Sequence, residues 1–412
     1  MTTASATKLG LVSSDIQACL RSIATDESDV ETFADITWSL ISEPGDGIAG
    51  MLISRLGSAN ALELVINRSS VAKARELASE LGVDMQDLEA FGQFDQQFKD
   101  SLSRWLPRLS QKAVAEATDA MRVRGGQVVT VRDSEWPQQL HDLEFNAPKL
   151  LWLLGNRETL ESSQRSVAIV GSRASTSYGE YVVGELVSTA NQIFHAVISG
   201  GAYGIDAAAH RNALALSVPT VSVLAGGLDS LYPKGNKTLL NRVRQQGALI
   251  SEVAPGIAPT KWRFLQRNRI IAALAQATVV VEAGSRSGAR NTANHAIELG
   301  RPLGAIPGSI MQPASAGCNE LIQSGKAMLL QKPDDLKMLL GIQEAVPLFE
   351  LEGLGGYELR ALDAIGFHKT SFEEIQLNSG LAGFELATAL GSLELQGLIT
   401  RVHAAWQRIR VN

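Results

Sequence analysis

The sequence predicts an α/β protein built on a doubly wound parallel sheet, with a helical segment before it and a small helical unit after it. Three observations carry this. Between residues 165 and 330, short apolar runs bounded by glycine or polar residues alternate with helical patterns. Those runs are continuously apolar rather than alternating, as in strands covered by helices on both faces. Residues 28–125 and 352–412 show helical periodicity instead.

The first domain is expected over residues 1–125. In DVETFADITWSLIS, Val30, Phe33, Ile36, Thr37 and Leu40 recur at helical spacing until the turn cluster Glu43-Pro44-Gly45-Asp46. AGMLISRLGSANALELVIN reads as a helical pair broken at Gly57-Ser58, and WLPRLSQKAVAEATDAMRVRGG as a further helix region. Helices joined by Gly-containing turns form either a plain helical domain or a SAM-like or helix-hairpin-helix-like module that touches DNA backbone.

The second domain is expected over residues 126–335. Val128–Val131 and Leu150–Leu154 read as short strands leading into the sheet. The sheet strands are Val167–Val170, Ala196–Ser199, Thr220–Leu224, Ala248–Ser251, Thr278–Glu282 and Pro302–Ile306. Residues 331–346 read as a linker. A third domain, 350–412, carries periodic Leu359, Leu362, Ile365, Ile375, Phe384, Leu386, Leu390 and Leu393. A possible hairpin of Gly397–Thr400 with Arg408–Val411 follows, a winged-helix-like pattern.

Charge is unevenly spread. The net charge is −6, but residues 1–164 carry −9, residues 165–330 carry +7 and residues 331–412 carry −4. A polyanion responds to local potential, so the basic middle outweighs the acidic total. With 2 cysteines there is no disulfide framework or four-cysteine zinc site. The basic-then-apolar pattern of a signal peptide is absent at the start, and no run of apolar residues is long enough to span a membrane. A cytoplasmic protein without metal or cofactor is expected.

The ends of the expected strands hold the informative residues. The first is followed by Gly171-Ser172-Arg173, the second ends in Ser199-Gly200 and runs on through Gly201-Ala202-Tyr203-Gly204-Ile205-Asp206. The third leads to Gly226-Gly227-Leu228-Asp229 and Lys234-Gly235-Asn236. Glycines let backbone N–H groups approach an anion, and the helix N-termini that follow favour negative charge. A fourth segment, Lys261-Trp262-Arg263-Phe264-Leu265-Gln266-Arg267-Asn268-Arg269, puts four cations and two aromatics in nine residues with no acid among them. Cations pair with phosphates and aromatic faces stack on unpaired bases; a helix start with Trp262 and Phe264 in the core is the plainer reading. The fifth strand delivers Glu282-Ala283-Gly284-Ser285-Arg286-Ser287-Gly288, with Glu282 placed to orient arginines. His195, His210 and His295 read as structural, and Asp206 as a helix-start charge.

Several chemistries are disfavoured. No G-x-G-x-x-G opens the first strand–helix unit, and no P-loop, G-x-S-x-G or H-E-x-x-H occurs.

The ordered series GSR, SGGAYGIDAAAH, GGLDSLYPKGN, FLQRNRII, VVEAGSRSG, GRPLGAIPG and GCNELI resembles the DprA/Smf family of bacterial DNA-processing proteins over roughly residues 130–330. The resemblance implies an extended Rossmann-like core that binds single-stranded DNA, a homodimer, and a non-enzymatic role. That role is to protect incoming DNA and load RecA recombinase in natural transformation (competence) and recombination. It implies that Gly171, Ser172, Arg173, Ser199, Gly200, Gly226, Lys234, Asn236, Lys261, Arg263, Arg267, Asn268, Arg269, Ser287 and Gly288 converge on DNA, with Arg173, Lys234, Arg267 and Arg269 on phosphates. The dimer is expected near Cys318–Gln323 and Ala327–Leu330. Three departures stand out: Tyr203 where the family carries arginine, Leu265 in place of its proline, and Arg290 inside the late glycine turn. The alternative is a nucleotide-binding phosphoribohydrolase-like enzyme on the same fold. Glu282–Asn291 lacks the P-G-G start and the catalytic glutamate of that signature.

Overall fold

The computed structural model describes residues 14–24, 29–89, 92–342, 354–366, 368–403 and 405–409. Part of the expected linker, 343–346, and the hairpin residues Arg410 and Val411 lie outside them. The chain divides into two compact units, residues 1–341 and 342–412.

In the first unit the helical region comprises α1 (Ser14–Ile23), α2 (Asp29–Ile41), α3 (Gly47–Leu56), α4 (Ser58–Ile66), α5 (Val71–Glu80), α6 (Phe94–Trp105) and α7 (Gln111–Val123). Asp46 caps α3 by accepting from Ala49 N–H at 3.2 Å, and Ser110 caps α7 through Ala113 N–H at 3.3 Å. Such caps satisfy donors that the helix cannot. Helices α3 and α4 together are long and apolar enough to resemble a membrane span, but they bend by 117° between Leu56 and Ser58 and bury Met51, Leu52, Leu62 and Val65 in the core. No single described helix is long and apolar enough to cross a membrane.

Among the described residues of this unit, nine strands form one sheet. They are β1 (Gln127–Thr130), β2 (Leu150–Gly155), β3 (Ser166–Val170), β4 (Ala196–Ser199), β5 (Thr220–Val223), β6 (Ala248–Ser251), β7 (Ala277–Val280), β8 (Leu303–Ala305) and β9 (Met328–Leu329). Their order is β1-β2-β6-β5-β4-β3-β7-β8-β9. From β6 to β9 every pairing is parallel. The sheet is therefore mixed rather than wholly parallel, because β2 runs antiparallel to both β1 and β6.

The connecting helices are α8 (Ser177–Gln192), α9 (Ile205–Ala215), α10 (Lys237–Gln246), α11 (Lys261–Leu274), α12 (Gly288–Glu298) and α13 (Ala316–Gln323). Val183, Leu186 and Val187 of α8 and Ala208 and Ala209 of α9 pack in one cluster, and Ile270–Leu274 of α11 with Ala293 and Ala296 of α12 in another. Chain order reverses between β3 and β7, where ligands of such sheets bind beyond the strand ends.

The expected division at residue 125 falls inside the first unit. Phe33, Trp38 and Met51 of the helical region share one core with Leu150, Trp152 and Leu249 of the sheet, and Trp152 Nε1 donates to Ser39 Oγ at 3.3 Å. Within the expected dimer face, Cys318 and Leu321 are buried in the first unit's own core, where α13 covers the sheet. The edge strand β9 leaves Met328 and Leu329 half-buried.

The second unit contains α14 (Gly356–Ala364), α15 (Phe372–Ser379) and α16 (Gly383–Leu395) with a three-stranded sheet, β10 (Thr370–Ser371), β11 (Ile399–Val402) and β12 (Ala405–Arg408), ordered β10-β12-β11. β11 and β12 pair as a hairpin, but a tighter one than expected: Ile399–Val402 pairs with Ala405–Arg408, so the second strand starts three residues before the expected Arg408–Val411. Leu362, Ile375, Leu386, Leu390 and Ile399 make its separate core.

Candidate nucleic-acid interface

β3, β4 and β5 end side by side, and the loops after them meet the first turns of α11. Together they line a cleft, walled among others by Arg173, Gly200, Tyr203, Gly226, Tyr232 and Phe264. The glycines are there for packing. A Cβ on Gly171 would lie 2.6 Å from Ile205 Cγ1, and one on Gly226 would lie 2.8 Å from Pro259 Cδ. Gly204 takes a positive φ of 73°, and a Cβ there would stand 2.2 Å from the Ser172 carbonyl oxygen. The loop after β4 can turn under the loop after β3 only with glycine at that position.

The cations divide into two groups. Arg173, Lys234 and Lys261 are exposed, and among the described residues none of them pairs with a carboxylate. Arg173 extends over the Phe264 ring, its guanidinium carbon 5.1 Å from the centroid. Arg267, which was expected to hold phosphate, is buried at 6% exposure and donates to the Val223 carbonyl at 2.6 Å. Its guanidinium approaches Phe264 from within, at 5.8 Å. Burial, joined by repulsion from Arg173 and opposed by Asp206, pushes its pKa down to about 10, so it stays charged at neutral pH. Gly200 makes room for it, since a Cβ there would lie 1.8 Å from Arg267 Nη1. Asp206 is the buried counter-charge and accepts from Ala202 N–H at 3.3 Å. Burial raises its pKa, against the pull of Arg267 and these hydrogen bonds.

Two other arginines expected on DNA have acidic partners brought from elsewhere in the fold. Arg269 is 3% exposed, donates to the Asn146 carbonyl at 2.8 and 3.0 Å, and pairs with Glu252 at 2.8 Å. Arg263 makes a fork-to-fork pair with Glu43, at 3.1 and 2.8 Å, and Arg108 adds a second cation to the same carboxylate at 2.8 Å. Partial burial opposes ionisation of Glu43, but the two arginines outweigh it and hold its carboxyl below the usual range. This pair ties the helical region to the first turn of α11.

Most of the remaining expected residues are engaged within the protein. Ser199 is buried and donates to the Ile169 carbonyl at 2.7 Å. Asn236 spends its amide on the carbonyls of Gly201 and Ala202, both at 3.0 Å. Asn268 donates to Asn291 Oδ1 at 3.1 Å and the Gly288 carbonyl at 3.3 Å. Ser172 closes a turn through Ala174. Ser287 caps α12 and Gly288 opens it, beyond β7 and away from the cleft walls. Glu282 does not orient an arginine. It accepts from Thr176 N–H at 3.0 Å and from Thr176 Oγ1 at 2.5 Å, bracing the start of α8. Trp262 is 55% exposed instead of core. Of the histidines singled out, His195 bonds Ile193 and Gln276, buried His210 bonds Thr220 at 2.9 Å, and His295 meets Glu298 at 3.1 Å.

Sequence reasoning missed Phe264 as the shared platform of two guanidinium groups, and Tyr232, whose ring lies 5.7 Å from it. Aromatic interleaving in the Lys261–Arg269 run was the available signal.

Comparison with known proteins places this geometry in a family. The family model for DNA recombination-mediator protein A matches residues 127–341, which contain the sheet and the cleft. The chain is 40% identical over 313 residues to a putative DNA processing protein DprA of Mycobacterium tuberculosis, covering 72% of this chain and 80% of that one. It is 33% identical over 300 residues to the Smf protein of Escherichia coli, covering 68% and 76%. The X-ray structure of DNA processing protein A from Streptococcus pneumoniae superposes with a TM-score of 0.56 at 28% identity, covering 75% of this chain and 96% of that one. With the family model spanning the whole sheet and such identity reaching into the helical region, the chain belongs to the DprA/Smf family of DNA-processing proteins.

Proposed function

We propose that the cleft binds single-stranded DNA without base-sequence specificity, and that the protein is a non-enzymatic mediator that shields the strand and hands it to a RecA-type recombinase. The observation that carries the binding reading is Arg173. It lines the cleft, is exposed and lies over Phe264, while exposed Lys234 and Lys261 follow the lining residues Pro233 and Pro259 by one and two positions; none of the three has a carboxylate partner among the described residues. Unpaired cations around one cleft repel each other until a polyanion enters, and a guanidinium suits a phosphate because its fork bonds two oxygens. The buried Arg267 adds positive potential from below. Family membership supports the mediator role, and the edge strand β9 supports a homodimer built by sheet pairing.

Titrating the protein with single- and double-stranded oligonucleotides across salt concentrations tests this. Single strands bind more tightly, and three phosphate contacts give a log–log salt slope of roughly −2. A flat salt response, or duplex preference, overturns it. Light scattering that shows a monomer at micromolar concentration removes the dimer.

A further inference from the structure

We propose that Tyr203 is the base-stacking residue of this cleft, a role in which it replaces a cationic contact with an aromatic one. The inference rests on the single-strand reading above and adds what the strand's bases do.

Phe264 is already engaged. Arg173 lies 5.1 Å and Arg267 5.8 Å from its centroid, and the Tyr232 ring leans on it at 5.7 Å with an interplanar angle of 57°. A base reaching Phe264 would have to displace one of these. Tyr203 is different. It lines the same cleft, is 47% exposed, and among the described residues no guanidinium or second ring covers it. Its orientation is fixed at the far end, where Gly235 N–H donates to the phenol oxygen at 3.2 Å. Gly235 permits that approach, since a Cβ there would lie 2.6 Å from the same oxygen. The tether joins the loop after β4 to the turn holding Lys234, so the phenol end of the ring is anchored one residue from that exposed cation. A half-exposed ring clamped beside a cation is the arrangement that single-strand binders use, with the base on the ring and the phosphate on the charge. A clamped ring also loses little freedom on binding.

The test compares two dye-labelled oligonucleotides of equal length and phosphate count, oligothymidylate and its fully abasic analogue, by fluorescence anisotropy. The wild-type protein favours the thymidylate about tenfold, the equivalent of ~1.4 kcal/mol of stacking. Tyr203→Ala abolishes that preference and leaves the salt slope unchanged. Tyr203→Phe keeps the ring without the tether and retains most of the preference. Tyr203→Arg loses it and steepens the slope by about one unit. Circular dichroism melts establish that each variant is folded. If the wild type binds both oligonucleotides equally, or if folded Tyr203→Ala keeps the preference, the assignment to Tyr203 is overturned while the single-strand reading stands. If neither oligonucleotide binds, the single-strand reading falls and the assignment falls with it.

Discussion

The two halves of the run Lys261–Arg269 both carry two cations and meet different fates. In the first, Lys261 and Trp262 face water. In the second, Arg267, Asn268 and Arg269 are all buried and each side chain is spent on a protein partner. Both halves lie on one helix, α11, so the difference is not local conformation. It is depth: the helix begins at the strand ends and then passes across the sheet. At the start of the helix Lys261 is left without a carboxylate, Arg263 is already taken by Glu43, and two turns on every cation is met by the fold.

The most severe way to break this contrast is Arg269→Ala. It strands Glu252 in the core, and removing one partner of a buried pair costs about 3–5 kcal/mol; a denaturant midpoint unmoved from the wild type would show that the pair is dispensable. Gly200→Ala sharpens the point from the neighbouring loop. The added methyl meets Arg267, and a rearranged buried side chain costs about 1–3 kcal/mol, read in the same melts and accompanied by weaker oligonucleotide binding. His210 probes the floor by pH. Burial, and then the charge of Arg267, lower its pKa from 6.5 to about 3. The folded state therefore binds fewer protons than the unfolded chain between those values, and the group's contribution to stability is lost as pH falls through that window. The stability difference between wild type and His210→Gln should shift by up to ~1.4 kcal/mol per pH unit below 6.5. A difference constant from pH 7 to pH 5 would show that His210 titrates normally. Arg173→Ala tests the rim. Stability changes by no more than about 0.5 kcal/mol, while single-strand affinity drops for all sequences alike and the salt slope shallows by about one unit. An unfolded Arg173→Ala with normal binding in the surviving fraction would move Arg173 from the rim to the scaffold.

The strands were legible because their signal is local. In the nine-stranded sheet β4 and β6 match their apolar runs residue for residue, and the others up to β8 differ by one or two residues at the ends. The exception is β9, whose two residues pair only because β8 lies beside them. Within the site, the glycine turns and Arg173 were legible, since a strand that ends in Gly-Ser-Arg brings its own geometry. The division of the arginines was not. Arg263 finds Glu43 across 220 positions of sequence, and nothing near Arg263 announces that carboxylate. A count of cations within a window cannot see partners that only tertiary contact supplies.

Trp152 has a consequence for anyone who wants to take the molecule apart. It sits on the sheet, yet its indole nitrogen bonds Ser39 and its ring belongs to the same core as Phe33 and Trp38. A fragment trimmed to begin at residue 126 would leave Trp152, Leu150 and Leu154 facing solvent as one sticky wall, and would also strand Arg263 without Glu43. Such a fragment is a poor reagent: it would clump, and any binding it showed would report the wound rather than the site. The second unit keeps its own core, so the natural place to cut is after residue 341, and the helical region must travel with the sheet.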